Sequence, residues 1–414
     1  MHRNELRLTL RTLPFLDSRA GSPEGFAEVT GGPAPKLLVW DPETIDWIFR
    51  SDRHLAHPGS RSLVPLLGRT SLLWGDGPRH TAYRQVLGPP LRGRSLGRYH
   101  GVIADTVHGA IDALPTETVL PLSEWTRELA LRIIGRIILG RSGEGVLEPF
   151  TAWIERALGS RGRTLAYRFL RGRLPRSGDA LDRLFVRSAR EAARAHPHSL
   201  IALLLNGDGP LHDIGDTELR DQIASLLFAG HETTASATAW ALYWLDRHER
   251  VRRDVLAELA ATTDNGADTT RVPLLHAVVQ EALRVTPPVP AAGNRVLPEE
   301  TELLGRTLPA GTTLSPSIYL AHRVPERFPA PEAFDPNRFL DGRVAARHYF
   351  PFGGGTRHCL GSQLSQLEAR MIVAALLRRR ELRCVNPRAG VPQLRGHAMA
   401  PAARLRMAVT ACHD

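Results

Sequence analysis

The chain has 414 residues, of which 43% are hydrophobic, and a formal net charge of +10. Three cysteines are too few, and odd in number, for a disulfide framework, and residues 1–20 lack the apolar run of a signal peptide or membrane anchor. The excess of basic residues would suit binding to nucleic acid or to an anionic membrane, but no motif for either kind of binding accompanies it. We therefore expect a cytoplasmic protein that binds neither.

Residues 1–75 mix short apolar runs with Pro and Gly, which predicts small strands and turns. Apolar residues at helical spacing dominate from about residue 76. The predicted helices lie at 125–139, 179–205, 216–248, 249–262, 271–286 and 360–380. The basic stretch 160–176 predicts a mobile connection, and the Pro/Gly-rich region after 287 predicts small strands and loops. Since no linker or repeat divides the chain, we expect one mainly α domain with small β-sheets over residues 1–414.

The segment FGGGTRHC, residues 352–359, places a glycine run before Cys359 and a helical pattern behind it. Three glycines let a backbone turn sharply and approach a flat partner closely. A helix N-terminus stabilises a thiolate, which is the form of cysteine that binds a metal. The loop is not a phosphate-binding loop, because no Lys-Ser/Thr follows the glycines. A buried structural cysteine is the alternative that Cys359 alone would allow.

The segment AGHETT, residues 229–234, puts a carboxylate and two hydroxyls in the middle of an apolar helix. A zinc-protease motif would need a second histidine at position 235, which is Ala235. Gly230 weakens a helix interior, and a threonine can donate to the carbonyl four residues earlier. The pattern predicts a locally opened helix with a proton-carrying pair, Glu232 and Thr233. A kinked structural helix is the alternative.

Two helical pairs carry weaker signals. Glu281 and Arg284 are three residues apart on one helix face, which by itself predicts an ordinary ion pair. His80 and Arg84 are four residues apart, and two donors on one face suit an anionic ligand. A solvated basic face is the alternative for the second pair.

Together these segments, with FDPNRF at 334–339, occur in an order that resembles the cytochrome P450 family of haem-thiolate mono-oxygenases. The resemblance runs from about residue 76 to 361 and implies the cytochrome P450 fold. It also implies a haem b (iron protoporphyrin IX) cofactor with Cys359 as the iron ligand. Leu91 departs from the pattern, since many family members have an aromatic residue there.

The resemblance assigns further roles around the haem. Phe352 and Gly353 would lie beside the sulfur, and Ala229 and Gly230 would leave room for O2. His80, Arg84, Arg295 and Arg357 would bind the haem propionates. Glu281, Arg284 and Arg338 would form a buried ion network that supports the cysteine loop. Glu232 and Thr233 match the acid–alcohol pair that delivers protons during oxygen activation.

The resemblance also implies partners. We expect a small hydrophobic substrate, such as a terpenoid or polyketide of bacterial secondary metabolism, because the segments at 57–76 and 288–294 are apolar. Electrons would come from a separate ferredoxin and its reductase. The ferredoxin would dock on a basic face that includes Arg79 and Arg92. We expect a monomer.

Other functions remain open at this point. A peroxide-driven enzyme is disfavoured by the intact pair Glu232 and Thr233. Oxidative ring closure or coupling, or action on a carrier-protein-bound substrate, is compatible with that pair. A haem-binding sensor without turnover would need no proton relay.

Overall fold

The computed structural model describes residues 3–59, 63–159, 162, 174–207, 209–262, 272–342, 344–395 and 398–413. Helices dominate and the strands are short, which confirms the predicted fold class. The predicted mobile connection at 160–176 lies mostly outside the described residues.

The described α-helices are α1 (Arg3–Leu10), α2 (Thr12–Asp17), α3 (Pro42–Arg50), α4 (Val64–Leu67), α5 (Gly77–Leu87), α6 (His100–Asp112), α7 (Leu122–Leu139), α8 (Glu144–Leu158), α9 (Asp179–Ala195), α10 (Leu200–Leu205), α11 (Asp216–Arg247), α12 (Glu249–Ala260), α13 (Pro273–Val285), α14 (Ile318–Ala321), α15 (Asn337–Leu340) and α16 (Ser362–Arg379). Short 3-10 turns lie at Asp52–His54, Pro89–Leu91, Gly93–Tyr99, Gly140–Gly143, Gly209–Leu211, Ala346–His348, Gly355–Arg357 and Pro387–Ala389.

The strands are β1 (Phe26–Thr30), β2 (Lys36–Val39), β3 (Val119–Pro121), β4 (Arg295–Val296), β5 (Thr301–Leu303), β6 (Arg306–Leu308), β7 (Thr313–Pro316), β8 (Arg380–Cys384), β9 (Pro392–Arg395), β10 (Ala398–Pro401) and β11 (Arg406–Cys412).

The chain divides into two compact units, each made of two separate chain segments. Unit 1 comprises Met1–Gly59 and Ala277–Cys359, and unit 2 comprises Ser60–His276 and Leu360–Asp414. The expectation of one domain over residues 1–414 stays a prediction.

Unit 1 is organised around a four-stranded sheet in the order β1-β2-β7-β4. Strands β1 and β2 form an antiparallel hairpin, and β2 pairs in parallel with β7, from Lys36 opposite Thr313 to Val39 opposite Pro316. Leu37 and Leu314, at the centre of the sheet, are fully buried. A separate hairpin, β5–β6, completes the strands of this unit.

The prediction of only strands and turns in residues 1–75 was wrong in part, because α1, α2, α3 and α4 lie there. The start of α3 shows the missed signal. Asp41 is its N-cap and accepts a hydrogen bond from the Thr44 amide at 2.7 Å, and Pro42 occupies the first helical position. Asp followed by Pro is a common helix start, since it satisfies one terminal N–H and removes another.

Unit 2 is organised around α11, a helix of 32 residues. Most of its residues are buried, because it packs against α7, α16 and β10. The side chains of Ser236 and Trp240 both donate to the Met399 carbonyl, which joins α11 to β10. The sheet β3-β11-β8 and the hairpin β9–β10 complete this unit.

Candidate active site

The cysteine loop, residues 350–359 of unit 1, folds back on itself. The Cys359 amide donates to the Phe352 carbonyl at 3.0 Å, and Gly353 and Gly355 have φ angles of 68° and 66°. Any other residue would be strained at such angles. Cys359 is exposed and is not in a disulfide. Helix α16 begins three residues later, at Ser362, which confirms that Cys359 lies just before a helix.

The glycines of this loop are also needed for packing inside unit 1. A Cβ on Gly354 would lie 2.4 Å from the Phe49 ring, and a Cβ on Gly355 would lie 2.5 Å from Asp52. Two of the three glycines therefore let the loop lie against the end of α3 and the turn that follows it. This reason for the glycine run was not visible in the sequence.

Asp52 fixes the cysteine loop to the N-terminal segment of unit 1. It accepts hydrogen bonds from the amide and the hydroxyl of Thr356, the first of them at 2.7 Å, and it pairs with Arg295. Burial would raise the pKa of Asp52, but hydrogen bonds from His57, Thr356 and Arg295 outweigh burial and hold that pKa well below its ordinary value. Asp52 is therefore a buried anion, and sequence analysis missed it.

Arg295, a predicted propionate ligand, is 2% exposed and has protein partners at all three nitrogens. Besides the pair with Asp52, it donates to the Gly293 carbonyl at 2.6 Å and to the Gly354 carbonyl at 3.3 Å. The latter contact places it beside the cysteine loop. Its role as a propionate ligand stays a prediction, as does that of Arg357, which is half-buried in the same loop.

The predicted ion network of Glu281, Arg284 and Arg338 is present in unit 1. Arg284 donates to both carboxylate oxygens of Glu281, at 2.7 and 2.8 Å, and neither side chain is exposed to solvent. Arg338 lies 3.3 Å from the same carboxylate. The two guanidinium groups also donate to backbone carbonyls of residues 322, 329, 330, 331 and 333.

His322 connects this network to the start of the cysteine loop. Its carbonyl accepts from Arg284 at 3.0 Å, and its Nε2 accepts from the Phe350 amide at 3.1 Å. Burial, reinforced by Arg284 and Arg323, lowers the pKa of His322 well below its ordinary value, so the ring is neutral and Nε2 can accept. The ion network therefore positions the loop through one imidazole.

In unit 2, Glu232 lies on α11 and is buried among cations. Arg395 Nε and Arg127 Nη1 lie 3.3 and 3.6 Å from its Oε1, and His231 Nε2 lies 3.9 Å from it. Both arginines also contact Glu155, which is 39% exposed. Burial raises the pKa of Glu232 to about 7, although the charge of Arg127 opposes that rise. Glu232 can therefore exchange a proton near neutral pH.

The neighbours of Glu232 on α11 behave partly as predicted. The Thr233 hydroxyl donates to the Ala229 carbonyl at 2.9 Å, the predicted bond to the preceding turn. The helix nevertheless continues without a break through 229–234, so the predicted local opening was wrong. A Cβ on Gly230 would lie 2.6 Å from Ile134, so the close packing of α11 on α7 requires this glycine. Its predicted role in leaving room for O2 stays a prediction.

His80 and Arg84 share one face of α5, and His80 is 6% exposed. Arg79, which precedes His80 in the chain, already has acidic partners, and its predicted part in ferredoxin docking stays a prediction. Its guanidinium pairs with Glu218 and lies 3.1 Å from Asp213. Arg92, Arg94 and Arg98 are exposed.

The segment before α5 is held on α11 by side chains that sequence analysis missed. Gln222 accepts from the Leu72 amide at 2.9 Å and donates to the Thr70 carbonyl at 2.6 Å. The hydroxyls of Ser71 and Ser225 lie 2.6 Å apart. Part of the predicted substrate-binding segment at 57–76 therefore has a fixed conformation within unit 2.

The sequence model named "Cytochrome P450" matches residues 176–404. The chain is 31% identical to cytochrome P450 135B1 of Mycobacterium tuberculosis, across 99% of this chain and 89% of that protein. It is also 31% identical to a cyclooctat-9-en-7-ol 5-monooxygenase of Streptomyces melanosporofaciens, across 92% of this chain and 87% of that protein. A retinoic acid-bound cyanobacterial cytochrome P450 has the same fold, with a TM-score of 0.84, 23% identity, and coverage of 98% and 96% of the two chains.

The fold and the relatives define a haem-thiolate oxidoreductase. The chain belongs to the cytochrome P450 family, and its cofactor is haem b. The residues present fit this cofactor, because an exposed cysteine stands on a loop fixed by Asp52 and His322, and a thiolate is the iron ligand of the family. Among the described residues, no helix is long and apolar enough to cross a membrane.

Proposed function

We propose that the protein is a mono-oxygenase that inserts one oxygen atom from O2 into a hydrophobic small molecule, by hydroxylation or epoxidation. Cys359 is the proposed iron ligand, and this assignment carries the proposal. The supporting observation is that Cys359 is exposed at the end of a loop which a buried anion and a buried ion network hold in place. Haem with a thiolate ligand supplies the activation of O2.

The proposed proton donor is Glu232, with Thr233 next to it in the chain. A carboxylic acid with a pKa of about 7 is suited to give up a proton at neutral pH and take up another. Arg127 and Arg395 connect Glu232 to the half-exposed Glu155, which supports this side of α11 as the route of proton supply. Phe352, Gly353, Ala229, His80, Arg84, Arg295 and Arg357 are proposed to contact the haem.

The proposed substrate is an apolar molecule of bacterial secondary metabolism, of terpenoid or polyketide type. The relative that acts on cyclooctat-9-en-7-ol supports a terpenoid-like substrate. In the segment before α5, the exposed apolar side chain of Leu73 agrees with such a substrate. We propose that a ferredoxin and its reductase supply the electrons and that the enzyme works with them in the cytoplasm. We also propose that the chain forms one domain and acts as a monomer.

The proposal is tested first by the spectrum of the reduced protein with carbon monoxide. We expect the red-shifted Soret band that only a thiolate ligand gives, and we expect Cys359→Ser to abolish it. Cys384→Ser and Cys412→Ser are matched controls, and both should keep the band. A band at the position of histidine-ligated haem in the parent protein, or an unchanged band in Cys359→Ser, would contradict the assignment.

The ferredoxin part of the proposal has its own test. Arg92→Glu is expected to slow reduction by ferredoxin about tenfold at low salt, because an acidic donor is steered by exposed positive charge. Arg92 is suited to this test because it is exposed, whereas reversal at Arg79 would break the pair with Glu218. Arg253 is also exposed, so Arg253→Glu serves as the control. Equal reduction rates for the parent protein, Arg92→Glu and Arg253→Glu would exclude docking near Arg92.

A further inference from the structure

A cavity of about 580 Å³ lies in unit 2, beside the start of α6 and the end of α7. Three arginines line it, namely Arg98, Arg136 and Arg141. None of the residues that line it belongs to the proposed active site. Its volume lies in the range of cavities that hold small molecules, roughly 300–1,000 Å³.

The charge of this cavity is positive. Arg136 is partly neutralised by Glu144, which lies 3.4 Å from it, and Arg136 also donates to the Thr106 hydroxyl at 3.1 Å. Arg98 donates to the Ser95 carbonyl at 3.2 Å, which uses one of its five N–H groups. The Arg141 side chain makes no hydrogen bond or ion pair with any described residue. Asp105 is the acidic residue among those that line the cavity.

The dipoles of the neighbouring helices do not change the net positive charge of the cavity. The first turn of α6, with its positive dipole end, and the last turn of α7, with its negative end, both lie at the cavity. Each end is equivalent to about half an elementary charge, so the two largely cancel. Three guanidinium groups around one cavity repel each other, and an anion between them would remove that repulsion.

Apolar side chains also line the cavity. Val102 and Ile137 line it beside Tyr99, whose side chain is 4% exposed. The Tyr99 hydroxyl is buried and has no hydrogen-bond partner among the described residues. A buried hydroxyl without a protein partner is commonly completed by a bound water or ligand.

We propose that this cavity binds a small organic oxyanion. A phosphate or carboxylate group is held by Arg98, Arg136 and Arg141, and the apolar body of the ligand packs against Val102 and Ile137. Guanidinium groups bind both kinds of oxyanion through paired N–H···O bonds. The proposal does not depend on the haem chemistry, because it concerns residues outside the proposed active site.

Isothermal titration of the haem-loaded protein with phenyl phosphate tests the proposal. We expect one molecule to bind per chain, more tightly than inorganic phosphate, because only phenyl phosphate carries an apolar body. Benzoate in place of phenyl phosphate distinguishes a carboxylate from a phosphate site. Binding should weaken at high salt, as ionic contacts do. Equal affinity for phenyl phosphate and inorganic phosphate, or no binding of either phenyl phosphate or benzoate, would overturn the proposal.

Charge reversal locates the bound ligand. Arg141→Glu is expected to weaken phenyl phosphate binding by about tenfold or more, which corresponds to about 1.4 kcal/mol. Arg132→Glu is the matched control, since Arg132 is an exposed arginine of α7, the helix before the turn that holds Arg141, and does not line the cavity. Its affinity should stay near that of the parent protein. A similar loss in both variants would mean general attraction to a basic protein and would refute a specific site.

Discussion

The variant Glu281→Gln is expected to lose about 3–5 kcal/mol of unfolding free energy, because it leaves a buried guanidinium without its carboxylate. Glu281 and Arg284 are fully buried, and Arg338 shares the same carboxylate. The Asp335 amide also donates to it, at 2.9 Å. Urea unfolding followed by circular dichroism would measure the loss.

A solvent-exposed ion pair of the same unit provides the control. Glu43 pairs with Arg327 at 3.1 Å, and their side chains are 67% and 34% exposed. Glu43→Gln should therefore cost less than about 1 kcal/mol. If Glu281→Gln lost no more than this control, the network would not be the main support of the cysteine loop. Since the network reaches Phe350 through His322, Glu281→Gln should also weaken haem retention, which Glu43→Gln should leave unchanged.

The variant Glu232→Gln is expected to lower the rate of product formation by about 10²–10⁴-fold, the usual contribution of a general acid. Substrate binding should change little, because the proposed role of Glu232 is proton delivery. The pKa of Glu232 is raised to about 7, so in the parent protein the acid form dominates below that pH. The parent rate should therefore fall as pH rises through about 7, and this decline should be absent in the variant. Steady-state rates between pH 6 and 9 would test both statements.

The variant Glu155→Gln tests whether Glu232 acts as a proton donor or is merely structural. Glu155 shares Arg127 and Arg395 with Glu232, so its removal leaves both arginines to Glu232 and lowers the pKa of that acid. We expect Glu155→Gln to keep the parent rate at pH values below the decline in rate, and we expect that decline to move to lower pH. A decline that stays at the same pH in Glu155→Gln, or one that persists in Glu232→Gln, would contradict the assignment.

Much of the fold was predictable because long helices show their period in the sequence. The helix predicted at 216–248 spans Asp216–Arg247, and the one predicted at 360–380 spans Ser362–Arg379. Short helices at the N-terminus were missed, since the apolar pattern of α1 and α2 covers only one or two turns. Their stability comes from tertiary packing more than from local sequence.

The site was predictable only where motifs mark it. Cys359 and Glu232 stand in recognisable segments, whereas Asp52 does not, although it bonds directly to the cysteine loop. Asp52 lies 304 residues from Thr356 in the chain, and no local pattern reports such a contact. The same holds for Arg395, which approaches Glu232 from the strand β9. Sequence spacing identifies partners on one helix, but not partners that only the fold brings together.

The sheet of unit 1 also sets an order for folding during synthesis. Strand β2 leaves the ribosome early, but its parallel partner β7 begins only at Thr313. Until then one edge of the β1–β2 hairpin has no strand to pair with, and an isolated two-stranded hairpin is at best marginally stable in water. Unit 1 can therefore complete its sheet only after most of the chain has been made, and the nascent protein carries an open strand edge for that time.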